Sequence, residues 1–214
     1  MKPLEPVKWR ILVASVEQRT AKLGELFRCL VPQLVPGEVE VLCYRDGWQE
    51  GIGAKRNLLM REAAAEYVSF VDDDDLVVDD FVPTLYPLLD GVDYVSFDLK
   101  PICPSYGKDF LVHQSLAYRA RWDRQGRWLD IGHLCPMRRE IARLAEFPDR
   151  YGEDEVWANH IGASGELRTE HHVDRVLYLY RVSGGELWGE RRPVEVTPHP
   201  PWPCVSYWES EPLV

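Results

Sequence analysis

Residues 67–75 read Tyr67-Val68-Ser69-Phe70-Val71-Asp72-Asp73-Asp74-Asp75, an apolar, β-prone run that ends in four consecutive carboxylates. In an extended segment the side chains i and i+2 share a face, so Asp72 and Asp74 point together while Asp73 and Asp75 point the other way. Four adjacent carboxylates repel one another, and a bound cation would relieve that repulsion. The stretch therefore predicts a buried strand with a cation site at its carboxyl end.

Hard divalent ions take oxygen ligands, often one or two protein carboxylates together with substrate phosphates. Open α/β sheets bind their ligands at the carboxyl ends of the strands. We therefore interpret Asp72 and Asp74 as ligands of Mn²⁺ or Mg²⁺ for a phosphorylated substrate. An EF-hand loop counted from Asp72 would need Gly at its sixth position, where Val77 stands. Three further carboxylates fit better as solvated turn formers and helix caps: Asp75, Asp79 and Asp80.

The composition is that of one soluble globular domain. A chain of 214 residues with 45% hydrophobic and 28% charged residues can bury a full core. A net charge of −10 argues against a chain-wide basic face for nucleic acid. We expect no membrane span, because no apolar run approaches ~20 residues. With five scattered cysteines and no signal-like N-terminus, a cytoplasmic location is expected.

The first half of the chain alternates between strands and helices. Ahead of the strand that begins at Tyr67, the pattern predicts a strand over 9–16, a helix ending at Leu30, a strand over 39–44 and a helix over 54–66. This alternation predicts an α/β fold, a Rossmann-like, mostly parallel sheet wound right-handedly. The sequence lacks GxGxxG, so a dinucleotide cofactor is not expected.

The second half is less regular. The expected elements are a short helix over 81–89, a strand over 93–99, irregular structure over 101–135, helices over 138–145 and 153–161, and a closing strand over 176–180. We expect residues 1–185 to form the single domain. The Pro- and Trp-rich residues 186–214 are expected to form a C-terminal tail that packs on it.

Four segments together resemble the inverting family 2 glycosyltransferases of the GT-A fold. They are the strand at 11–16, the Gly-to-Asn element at 51–57, Asp72-Asp73-Asp74 and Glu153-Asp154. Tyr180-Arg181 followed by Ser183 also resembles the strand and loop after the family's base. The resemblance covers residues 9–185, and two departures stand out. Lys55 replaces the usual Ala, and Arg45-Asp46-Gly47-Trp48 replaces the usual Asp-Asp-Gly-Ser.

The resemblance implies a single transfer from a nucleotide-diphosphate sugar, most simply a UDP-sugar, to an acceptor hydroxyl. It implies Asp154 as the catalytic base and Glu153 as a positioning residue, although Asp154 could instead be a carboxylate that stabilises the helix dipole. The implied donor-binding residues are Ser15, Glu17, Arg19, Asp46, Arg56, Asp72 and Asp73. Arg56 could equally form a helix-surface ion pair.

The remaining assignments leave alternatives open. His171 or His172 could supply a third metal ligand or lie in a solvated loop, and the acceptor residues are expected to be His133, Trp157 and Arg138. His133 could equally be a satisfied loop residue, and Trp157 a core residue. Six arginines between residues 119 and 139 would suit a phosphate-bearing acceptor, one case being a hydroxymethylated base in phage DNA. A nucleotidyltransferase and a catalytically silent nucleotide-binding module are the alternative functions.

Overall fold

A computed structural model describes residues 5–102, 111–123 and 126–181. The strands are β1 (Val7–Val16), β2 (Val39–Asp46), β3 (Ala65–Phe70), β4 (Leu76–Val77), β5 (Tyr94–Ile102), β6 (Leu111–Gln114), β7 (Arg121–Trp122), β8 (Gly126–Leu129), β9 (Met137–Arg138) and β10 (Glu170–Arg181). The α-helices are α1 (Thr20–Leu30), α2 (Ile52–Glu62), α3 (Phe81–Leu85), α4 (Arg139–Ala142) and α5 (Glu153–Ser164). The expected tail at 186–214 lies outside the described residues.

The strands form one sheet in the order β2-β1-β3-β9-β5-β6-β8-β7, with β10 and β4 attached through β5. The longest pairings are parallel, namely β1 with β2, β1 with β3 and β5 with β10. The short β9 lies between β3 and β5 and is antiparallel to both. The predicted α/β, mostly parallel sheet is confirmed. Because β1, β2 and β3 run the same way, their carboxyl ends meet at one edge.

Two local predictions were wrong. The second helix ends at Glu62 rather than at residue 66, because Ala63 is extended (ψ 101°) and Ala65 already pairs in β3. Tertiary pairing thus overrides the helix propensity of three consecutive alanines. The region expected to be irregular, 101–135, contains β6, β7 and β8. These strands extend the sheet beyond β5 through short ladders that carry little apolar periodicity.

Aromatic side chains pack on both faces of the sheet. Trp9 contacts Phe81, with their ring centroids 5.8 Å apart, in the layer that contains α3. Phe70 lies on the opposite face, because Trp9 pairs with Tyr67 and Phe70 is three residues further along the strand. There Phe70 packs edge-on against Phe147 at 5.4 Å. This second layer supports the strand end that precedes the aspartates.

Across residues 5–102, 111–123 and 126–181, no helix combines the length and the apolar character needed to cross a bilayer.

Candidate active site

Asp72, two residues beyond β3, is paired with a buried arginine from α2. Arg56 Nη2 lies 2.7 Å from Asp72 Oδ1, and the Arg56 side chain is only 5% exposed. Burial acts to raise the pKa of Asp72, but the charges of Arg56 and His133 and the hydrogen bond from Arg56 hold it below its usual range. Asp72 is therefore an anionic carboxylate at the sheet edge.

The same arginine joins Asp72 to the start of α5. Arg56 Nη1 lies 2.6 Å from Glu153 Oε1, and the guanidinium lies 5.5 Å from the centroid of the Phe70 ring. Gly53 allows α2 to pack closely against the segment before α5, since a Cβ at this position would lie 2.3 Å from the carbonyl oxygen of Pro148. Burial raises the pKa of Glu153, while Arg56 opposes that shift. Arg56 therefore forms a buried bridge rather than a helix-surface ion pair.

His133 lies between the aspartate run and α5. Its Nε2 is 3.9 Å from Asp72 Oδ1, and its Nδ1 is 3.7 Å from Asp154 Oδ2. The His133 carbonyl accepts a 2.8 Å hydrogen bond from the Phe70 amide, which fixes the residue at the end of β3. The Asp154 side chain is 43% exposed. One imidazole thus connects the exposed carboxylate of α5 with the carboxylate that follows β3.

Asp73 is buried beneath the sheet edge. Ser15 Oγ donates to its Oδ2 at 2.7 Å, and Arg19 Nη1 donates to its Oδ1 at 2.6 Å. Arg19 also lies 3.4 Å from Asp74 Oδ2, and the Asp74 side chain is 16% exposed. Burial raises the pKa of Asp74, and Asp72 and Asp73 add to that effect while Arg19 opposes it. Asp73 consequently anchors the loop to β1, and Asp74 shares that arginine with it.

Asp75 was expected to be a solvated turn residue, and that expectation is wrong. The residue is 1% exposed, and it accepts hydrogen bonds from Tyr178 Oη at 2.8 Å and from the Arg181 amide at 2.7 Å. Burial, together with the charges of Asp72 and Asp74, raises its pKa well above the usual value. Tyr178 Oη in turn accepts the Asp72 amide at 3.0 Å. The aspartate run is therefore tied to β10 as well as to β1.

Asp46 ends β2 beside a buried lysine. Lys55 donates to Asp46 Oδ1 and, at 3.1 Å, to the Ser15 carbonyl. Burial opposes ionisation of Asp46, but the hydrogen bond from Lys55 and those from the Trp48 and Glu50 amides lower its pKa. Glu17 is exposed at the same edge of the sheet. It lies close to Gly47, because its Oε2 would be 3.6 Å from a Cβ if that glycine carried one.

Three of the expected site residues lie elsewhere. Arg138 pairs opposite Tyr67, at the far end of β3 from Asp72, and its guanidinium lies 3.3 Å from Glu66. Its assignment to the acceptor site is corrected accordingly. His171 and His172 lie near the start of β10, and His172 Nδ1 is 2.9 Å from Ser96 Oγ.

Tyr178 is the residue of β10 that reaches the aspartates. His172 pairs with Ser96 and Tyr178 with Leu99, so the two residues of this bulged strand are roughly 10 Å apart along the sheet. Among the described residues, no group of three or more His, Cys, Asp or Glu side chains could hold a metal ion, so neither histidine joins Asp72 and Asp74 in such a group. The expectation that His171 or His172 is a ligand of an ion at Asp72 and Asp74 is corrected accordingly.

Trp157 is 2% exposed, stacks on Phe147 with ring centroids 5.0 Å apart, and donates to the Ala142 carbonyl. It is a core residue beneath α5 rather than an acceptor contact.

The sequence interpretation missed Tyr178 and the role of Asp75, since neither belongs to a recognisable spacing. The pairing of Lys55 with Asp46 carried a signal, a lysine where the resemblance expects Ala, but its partner could not be read from the spacing.

A parallel sheet edge that presents an Asp-x-Asp sequence to a Glu-Asp helix start has the architecture of a GT-A glycosyltransferase. The family model described as Glycosyl transferase family 2 matches residues 27–145, and the chain belongs to this family. The predicted family and GT-A fold are thus confirmed. No curated protein sequence matches the chain.

Solved structures of low sequence identity share the fold. Residues 1–349 of S. aureus TarS superpose with a TM-score of 0.60 at 15% identity, over 82% of this chain and 60% of TarS 1–349. The complex of the same TarS fragment with UDP-GlcNAc gives a TM-score of 0.61 at 16% identity, over 87% and 62%. Glucosyl-3-phosphoglycerate synthase from Mycobacterium tuberculosis, in complex with Mg²⁺ and UDP, gives 0.55 at 15% identity, over 86% and 74%. The chain thus spans about three fifths of TarS 1–349.

Proposed function

We propose that the protein transfers one sugar from a UDP-sugar to an acceptor hydroxyl, with inversion at the anomeric carbon. The observation that carries the proposal is the position of His133, within 3.9 Å of Asp72 and within 3.7 Å of Asp154. An inverting displacement needs a base on the face opposite the leaving group, supplied by a different element from the diphosphate site. The proximity of α5 to the end of β3 meets that requirement.

Asp154 is assigned as the base. Its side chain is 43% exposed, so an acceptor hydroxyl can approach the carboxylate and transfer its proton there. His133 lies on one side of this carboxylate, with its Nδ1 3.7 Å from Asp154 Oδ2. Glu153 is 7% exposed and already committed to Arg56, which suits a positioning residue rather than a proton acceptor. The two acidic residues at the start of α5 therefore have different tasks.

Asp72 and Asp74 are assigned to a divalent cation. Among the described residues no group of three or more His, Cys, Asp or Glu side chains is arranged to hold a metal. Two carboxylates are nevertheless sufficient when substrate phosphates complete the coordination. Carboxylate oxygens are hard ligands, and Asp74 is only partly offset by Arg19, so the donor set fits Mn²⁺ or Mg²⁺. When bound, such an ion would act as a Lewis acid on the diphosphate.

The donor assignment is supported by the fold neighbours, one crystallised with UDP-GlcNAc and one with Mg²⁺ and UDP. The donor would lie along the edge formed by the ends of β2, β1 and β3. The side chains proposed to line it are Ser15, Glu17, Arg19, Asp46, Arg56, Asp72 and Asp73. Of these, Arg19 and Arg56 carry the positive charge that a diphosphate requires.

We propose only that the acceptor carries the hydroxyl group that receives the sugar. The arginines between residues 119 and 139 were expected to bind the phosphates of hydroxymethylated DNA. Arg138, however, forms ion pairs with Glu66 and Asp93. Arg139 donates a hydrogen bond to the Arg61 carbonyl. These contacts remove two of the six from the acceptor face. Transfer to hydroxymethylated DNA that falls steeply as salt rises would support a DNA acceptor.

Thermal unfolding with UDP, with and without Mn²⁺, tests the donor site. UDP at ~100 times its Kd should stabilise the wild type by about 2.7 kcal/mol, which is roughly 5–10 °C in Tm. The Asp74→Ala variant should lose the shift, and the exposed Asp79→Ala should keep it. The absence of a shift with any nucleoside diphosphate would overturn the donor site.

The two alternative functions differ in turnover. A nucleotidyltransferase would join a nucleoside triphosphate to a sugar phosphate and release pyrophosphate, and a catalytically silent module would show no turnover.

A further inference from the structure

Trp48 has an unusual backbone at the β2 end of the site. Its φ is 73°, a left-handed conformation that bulky residues rarely adopt, and it is the one non-glycine with positive φ in the part of the chain that the structure describes. Asp46 holds the loop in place by accepting the Trp48 amide at 3.2 Å and the Glu50 amide at 2.8 Å. Trp48 as a whole residue is 36% exposed. The loop thus presents an aromatic ring at the sheet edge.

Lys55 forms an ion pair with Asp46, the carboxylate two residues before Trp48. Its side chain is 3% exposed and its ammonium lies against Asp46, while also donating to the Ser15 carbonyl. The ammonium is 6.0 Å from the centroid of the Trp48 ring, at the outer limit of a cation–π contact. Asp46 therefore already accepts one ammonium and two amides. A carboxylate has about four acceptor sites, so these three contacts leave Asp46 at most one site for a ligand N–H.

Trp48 follows the end of β2, at the same edge of the sheet as Asp72. Because β1 separates β2 from β3, the two strands lie about 10 Å apart across the sheet. Asp46 pairs with Val16 and Phe70 pairs with Leu12, so Asp72, two residues beyond Phe70, lies about two residues behind Asp46 along the strand direction. A nucleoside diphosphate can span the resulting separation of roughly 12 Å between Asp46 and Asp72. Every nucleobase has a π-face, so stacking on an aromatic side chain contributes affinity with little dependence on which base is present.

We propose that Trp48 is the platform on which the nucleobase of the donor stacks, and that the Asp46–Lys55 pair leaves base discrimination weak. The inference rests on the proposed function, because it adds a base site to the same donor groove. Purine and pyrimidine nucleoside diphosphates should then bind within about tenfold of one another. Lys55→Ala would free Asp46 to accept a base N–H, and should widen that ratio.

Titration calorimetry in the presence of Mn²⁺ tests the platform, with UDP, GDP and inorganic pyrophosphate as the probes. Trp48→Ala should weaken both UDP and GDP by about 5–150-fold, the range that corresponds to the loss of one base–aromatic stack. Pyrophosphate has no base, so its affinity should be unchanged, and Trp48→Phe should restore most of the nucleotide affinity. Leu144→Ala, which removes an exposed apolar side chain elsewhere, should behave like the wild type.

The outcomes separate this inference from the proposed function. If the wild type binds UDP and Trp48→Ala binds it equally well, the platform is wrong while the donor site stands. If Trp48→Ala weakens pyrophosphate as much as UDP, the residue acts by holding the loop, and the platform is again wrong. If the wild type binds no nucleoside diphosphate, both proposals fail. A wild type that prefers UDP over GDP by more than 100-fold would overturn weak discrimination.

Discussion

Arg56 and Asp72 form a 2.7 Å ion pair between α2 and the loop after β3, and the other terminal nitrogen of Arg56 reaches Glu153 at 2.6 Å. A single buried guanidinium therefore sets the spacing between the aspartate run and the helix that carries Asp154. Its planar fork holds both carboxylates in fixed directions, which a lysine ammonium cannot do. The proposed base and the proposed diphosphate site depend on the same cation for their relative position.

Replacing Arg56 should expose that dependence. We expect Arg56→Met to lower the free energy of unfolding by about 3–5 kcal/mol, because the buried Glu153 and the partly buried Asp72 both lose their partner. Arg56→Lys should lose less stability but should still reduce kcat, since one point charge cannot hold both carboxylates. Urea unfolding measures the first effect. Arg175→Met breaks the exposed pair with Asp80 and should cost at most ~1 kcal/mol. An equal cost at both sites would contradict the bridging role.

Asp154→Asn should remove the proton acceptor while leaving the fold intact. The side chain is 43% exposed, so the stability should change by less than about 0.5 kcal/mol. Sugar transfer should fall by roughly 10²–10⁴-fold in kcat, with UDP affinity unchanged. Glu155→Gln, an exposed change one residue further along the helix, is the matched control. If Glu155→Gln lowers kcat as much as Asp154→Asn, the base lies elsewhere.

The sequence predicted the parallel half of the fold because its strands are continuous apolar runs, as in the residues before Asp72. It did not predict β6–β8, whose short ladders depend on contacts with β5 rather than on their own periodicity. Among the site residues, the sequence predicted that Asp72 follows a strand and that Asp154 lies at the start of a helix, and the structure has both in those positions. The long-range partners were not visible, because burial of Asp75 depends on Tyr178, which lies 103 positions away.

Tyr178→Phe tests the connection between β10 and the aspartate run. The hydroxyl donates to Asp75 and accepts the Asp72 amide, so its removal leaves two buried groups without that partner. We expect a loss of about 1–3 kcal/mol in unfolding free energy together with weaker UDP binding. Tyr94→Phe is a matched control, since its buried hydroxyl accepts the Gly132 amide at 2.8 Å without contacting the aspartates. It should lose comparable stability and keep UDP affinity. Equal losses of UDP affinity in both variants would indicate a general effect of instability.

Asp93 should make stability depend on pH. Its Oδ2 accepts the Arg168 amide at 3.0 Å, the Thr169 amide at 2.9 Å and the Thr169 hydroxyl at 2.8 Å. Burial acts to raise the pKa of Asp93, but these hydrogen bonds and Arg138 lower it. A depressed folded-state pKa contributes stability that is present above the unfolded value of about 3.9 and is lost as the pH falls through the folded value.

Urea unfolding of wild type and Asp93→Asn at two pH values measures this contribution. At pH 7 the wild type should be more stable by about 1.5–3 kcal/mol, the range for hydrogen bonds to a charged group. As the pH falls below the unfolded value and then through the lowered folded-state pKa, the wild-type carboxylate becomes protonated, so the difference should shrink. The exposed Asp79→Asn should match the wild type within ~0.5 kcal/mol at both pH values. If the Asp93→Asn deficit were the same at both pH values, the shape of the side chain rather than its charge would hold the start of β10.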